Sequence, residues 1–182
     1  MKAFLSFVPA RCLARLLAPA VVLVIAAACA VASDTAPDHV YDVTPSIVSF
    51  HQNRARSYTI VFAFDVREKL PPGAGTFVHF TRGGELLLQY GTGIETAPES
   101  WQAGQIVKGK PTYCHFPVVL ADGEYPILVG IWTPANGQRL HLKGIDDGQQ
   151  RYQAGILVVK DHGRTLSLTG APPIGPDAAA AK

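Results

Sequence analysis

The chain has 182 residues, nearly half of them hydrophobic, and a formal net charge of +2. That length suits one domain with a core of its own. No Lys/Arg stripe runs through it, which excludes the electrostatic footprint of a nucleic-acid binder.

Taken in chain order, the first feature is a basic start (Lys2, Arg11, Arg15) followed by the uncharged apolar run "LLAPAVVLVIAAACAVA" at 16–32. This is the pattern of an export signal. The run falls short of the ~20 residues of a spanning helix and is interrupted by Pro19, which favours cleavage over a retained anchor. Two cleavage sites fit. "AVAS" (30–33) obeys the small-x-small rule and would release a free periplasmic protein. "AAAC" (26–29) resembles a lipobox, which would acylate Cys29. The acyl chains, at roughly 0.8 kcal/mol per buried methylene, would then make a membrane-anchored lipoprotein facing the periplasm. Without residues 1–32, thirteen basic residues face fourteen acidic ones, and the net charge becomes −1.

Residues 33–40 read as a flexible tether, 41–169 as the folded domain, and the Pro/Ala/Gly-rich 170–182 as a disordered tail. In the domain, apolar and polar residues alternate between Gly, Pro, Asn and Asp clusters, and no segment sustains a helical period. Strands are expected near 45–51 and over "SYTIVFAFDV" (57–66), where Tyr58, Ile60, Phe62, Phe64 and Val66 share a face. "RGG" joins 76–81 to 84–90 in a tight hairpin. Further strands are expected at 105–110, 112–119, 124–132, 138–142, 151–160 and 164–168. So many short strands predict an all-β fold, a two-sheet antiparallel immunoglobulin-like sandwich.

Catalytic patterns are missing. There is no G-x-S-x-G elbow, and Cys114 and His115 are strand neighbours whose side chains point to opposite faces. Cys114 reads as a small buried hydrophobe. The six histidines lack metal-ligand spacing, and Asp146-Asp147 reads as a solvated turn between glycines. We therefore expect no enzymatic activity, no cofactor and no metal site.

Along "EYPILVGIW", Tyr125, Ile127, Val129 and Ile131 face the core. Trp132 then lies on the outer face near the strand end, with Gly130 leaving open space beside it. Asn136-Gly137 supplies the following turn. An exposed indole there could stack on a sugar ring, or it could pack under a loop or the stem of Arg139. Trp101 reads as a plug between the sheets.

Three stretches, "SWQAGQIV" (100–107), "PVVLADGEYPILVGIWTPANGQRLHL" (117–142) and "DDGQQRYQAGILVV" (146–159), carry a resemblance. In order and spacing they resemble the periplasmic β-sandwich modules appended to bacterial polyprenyl-sugar membrane glycosyltransferases. The match covers residues 77–160. Ile131-Trp132-Thr133 departs from the Leu-Tyr-Asp usual in that family, and the multi-helix catalytic part is lacking, so transferase activity does not carry over. The resemblance implies a stand-alone accessory module acting near cell-envelope glycans; taken with the indole, one reading is a module that binds an envelope polysaccharide or a lipid-linked glycan through Trp132, Tyr90 and Arg139. The other reading is a protein-interaction module, an assembly factor or inhibitor, that engages an envelope protein through a strand edge.

Overall fold

A computed structural model describes residues 39–174 apart from residue 118. The segment read as a leader, both candidate cleavage sites, Cys29, and most of the segments read as tether and tail lie outside these residues. Among the described residues no helix is long and apolar enough to cross a membrane.

The domain is built from strands β1 (Val40–Tyr41), β2 (Val43–Arg54), β3 (Ser57–Val66), β4 (Gly75–Arg82), β5 (Glu85–Tyr90), β6 (Gln105–Lys108), β7 (Thr112–His115), β8 (Gly123–Thr133), β9 (Gln138–Arg139), β10 (His141–Leu142), β11 (Tyr152–Lys160) and β12 (Thr165–Thr169). Two antiparallel sheets form. One orders β2-β3-β6, with β7 also on β3. The other orders β12-β11-β8-β4-β5, with β9 added to the end of β8. Along β3 the second half pairs with β6 and the first half with β7. This is the two-sheet, immunoglobulin-like sandwich that the strand spacing implied.

The core follows from alternation. Tyr58, Ile60, Phe62, Phe64 and Val66 of β3 are buried against Val78 and Phe80 of β4 and Tyr125, Ile127, Val129 and Ile131 of β8. Each such side chain contributes about 1.5–3 kcal/mol on burial. Trp101 is fully buried on Phe64, with ring centroids 5.0 Å apart, and its indole N–H donates to the Thr96 carbonyl and hydroxyl. Cys114 is buried in the same core. The Gly83-Gly84 hairpin takes positive φ at both glycines (57° and 85°), as a two-residue turn matched to strand twist requires.

Several boundaries differ from expectation. The strand expected at 112–119 ends at His115, and the one expected at 138–142 divides. β9 pairs antiparallel with β8, whereas β10 runs parallel to β1, where Val40 faces His141. Residues 170–174, which composition places in the tail, run along the body. Ala171 packs on the core, and the Pro172 carbonyl accepts a hydrogen bond from the Ser46 hydroxyl.

Candidate functional site

The site lies on the outer face of the larger sheet. Strand alternation places Trp132 of β8 and Phe77 and His79 of β4 there, because the intervening residues fill the core. Arg139 of β9 is the direct register partner of Trp132, so the two side chains leave the same face with Cβ atoms about 5 Å apart. Together with Leu86, Gln89 and Gly137 they line a cleft of about 410 Å³, within the size range of small-ligand sites. Trp132 is 38% exposed.

Gly130 does not leave open space beside Trp132. The Phe77 ring occupies that room: a Cβ at Gly130 would stand 2.3 Å from Phe77 Cζ. The glycine beneath Trp132 is Gly75, where a Cβ would meet the indole Nε1 at 2.9 Å. The sequence shows the missing side chain at 130 but not which residue of β4 fills it.

Arg139 is half-buried and held in place. Its guanidinium carbon sits 5.1 Å from the Phe77 ring centroid, an attractive arrangement for a cation, and its Nη1 donates to the Gln149 carbonyl at 2.8 Å. The loop after β10 carries a second arginine against the sheet. Arg151 is only 4% exposed, and its Nε donates to Asp147 Oδ2 at 2.6 Å. Burial alone would raise the Asp147 carboxyl, but the Arg151 hydrogen bond and the Gln149 N–H hold it below the usual carboxylate range. The Asp146 carboxylate caps the Gly148 N–H, so this acidic pair is spent on shaping its own turn.

His79 is buried beneath the cleft, its ring 4.7 Å from that of Phe77. Among the described residues its Nδ1 has no hydrogen-bond partner. Burial, and then the charges of Arg151 and Arg139, push its pKa down, so the ring is neutral at pH 7.

Tyr90 does not join Trp132 and Arg139. Its hydroxyl donates to the His115 carbonyl at 2.7 Å, and its ring meets Phe80 edge-on at 5.7 Å. It therefore clasps β5 to β7 on the inner side. The cause is the pleat of β5, which pairs Tyr90 with core-facing Val78 and Gln89 with outward His79. A bulge between Phe80 and Thr81 sets Leu86 opposite Thr81, which brings Leu86 to the outer face. Phe77, His79, Leu86 and Gln89 were missed as site residues. The alternation of "TFVHFT", which sends Phe77 and His79 opposite to Val78 and Phe80, carried the signal for two of them.

Among the described residues no three His, Cys, Asp or Glu side chains gather as a metal site would need. Compared with protein-family models, curated proteins and solved structures, the chain matches none.

Proposed function

We propose that this is an exported, non-enzymatic binding module for cell-envelope glycans, acting in the periplasm or from a lipid anchor beside glycosyltransfer machinery. The observation that carries the reading is the pairing of Trp132 with Arg139 at the mouth of the outer-face cleft. An indole offers an apolar plane to the axial hydrogens of a sugar ring. Arg139, held by the Gln149 carbonyl, offers fixed donors to its oxygens, and the exposed Gln89 amide offers another. Phe77 beneath Arg139 limits the freedom of the guanidinium, which lowers the entropy lost on binding.

A glycan array probed with the protein tests this. Sugar-dependent binding that falls at least tenfold, about 1.4 kcal/mol, in Trp132→Ala supports the reading, provided that the melting temperature is kept. Binding unaffected by that change would move the site elsewhere.

A second reading has one observation in its favour. β5 is an edge strand that exposes Leu86 and Leu87 (49% and 40%), and an edge of this kind can accept a strand from another protein. Capture of an envelope protein that is lost in Leu87→Lys, with an empty glycan array, would replace the glycan reading by this one.

A further inference from the structure

We propose that the outer-face cleft selects an acidic sugar, a uronic-acid unit whose carboxylate is received by Arg139 while its ring lies on Trp132. The proposal rests on the glycan reading above and names the ligand class within it.

Three observations converge. The first is the lining of the cleft, in which Arg139, His79 and Gln89 are joined by no carboxylate. The second is the state of Arg139. No carboxylate among the described residues pairs with it; like Arg82 on Tyr125 it is held by uncharged partners, here a carbonyl and a ring, but unlike Arg82 it lines the cleft. A guanidinium fixed by uncharged partners keeps its full charge and several N–H donors for an anion, in the planar fork that matches a carboxylate. The third is His79, 7% exposed, with Nδ1 unpartnered among the described residues. That atom is shut off from solvent, so the ring gives the cleft an uncharged floor that contributes no negative charge to oppose an anion.

Placement favours a sugar acid over a bare anion. Trp132 and Arg139 are direct cross-strand partners. A ring laid on the indole therefore presents an equatorial substituent to the guanidinium without bending the strand. Free phosphate would meet Arg139 but leave the indole bare.

Calorimetric titration of the protein with tetragalacturonate, its fully methyl-esterified form, galactose 1-phosphate and inorganic phosphate gives the test. Tetragalacturonate is expected to bind at least tenfold more tightly than the ester, with a preference that shrinks as sodium chloride is raised. Arg139→Gln is expected to abolish the preference, weakening tetragalacturonate at least tenfold and the ester, which loses only the donors to its neutral oxygens, by less. Arg139→Lys, which keeps the charge but loses the fork, is expected to retain part of it. Equal affinity for acid and ester, unchanged in Arg139→Gln, overturns the acidic-sugar inference and leaves the glycan reading standing. Tighter binding of galactose 1-phosphate than of the uronate overturns the carboxylate assignment. Binding of inorganic phosphate alone, or of no probe, overturns both.

Discussion

Gly130 offers the sharpest test of how the outer face is packed. Its φ lies outside the left-handed region, so alanine there meets no backbone strain and the effect is steric alone. A new Cβ would stand 2.3 Å from Phe77 Cζ, 2.6 Å from Cε1 and 3.1 Å from the Gln150 carbonyl oxygen. Ordinary contact begins near 3.4 Å, so the ring must withdraw by roughly 1 Å, against the arginine above it. Overpacking of this kind costs about 1–3 kcal/mol, which at about 4 °C per kcal/mol lowers the melting temperature by roughly 4–12 °C. Urea denaturation followed by circular dichroism measures it. In a Phe77→Ala background the ring is gone, and the same Gly130→Ala change should cost much less, because the methyl then meets only the Gln150 carbonyl oxygen at 3.1 Å. Gly130→Ala within about 0.5 kcal/mol of wild type, or costs that add without coupling in the double variant, would refute the packing argument.

Three further outcomes are expected. Tyr90→Phe should lose about 1 kcal/mol of stability as its hydrogen bond to the His115 carbonyl goes, while glycan binding stays within twofold; a matching loss of binding would return Tyr90 to the site. Burial pushes the Cys114 thiol up to about 11, so at pH 8 a maleimide should label the native protein at least a hundredfold more slowly than the urea-unfolded chain, and comparable rates would contradict its burial. The folded pKa of His79 lies below its ordinary value, so the unfolded chain takes up the proton first and stability falls as pH drops below about 6.5. His79→Gln should flatten that slope by at most about 1.4 kcal/mol per pH unit between pH 6.5 and 5, and identical slopes in urea titrations of the two proteins would count against a neutral His79.

What the sequence could convey depended on whether a feature is local. The inward face of β3 and the outer-face position of Trp132 follow from period-2 alternation, and the Gly83-Gly84 hairpin follows from turn chemistry, so all three were legible; how far Trp132 is exposed was not. Arg139 was legible as the neighbour of Trp132, since a short hairpin fixes who stands opposite whom. Tyr90 was misplaced because an aromatic residue at a strand end carries no mark of which face it takes, and its partner, His115, is a backbone group on a distant strand. The bulge that turns Leu86 outward has no glycine or proline to announce it. The filling of Gly130 by Phe77 is a contact across more than fifty residues, and no window along the chain contains both. The parallel pairing of β1 with β10 was unreadable for the same reason: two residues per strand are too few to form a pattern.

That small pairing bears on orientation. β1 is the first described strand, and it lies beside His141 and Leu142, two residues beyond the arginine that guards the cleft. The amino-terminal end of the described fold is therefore oriented toward the short strand that follows Arg139, and a substitution that unseats β1 should be felt there first.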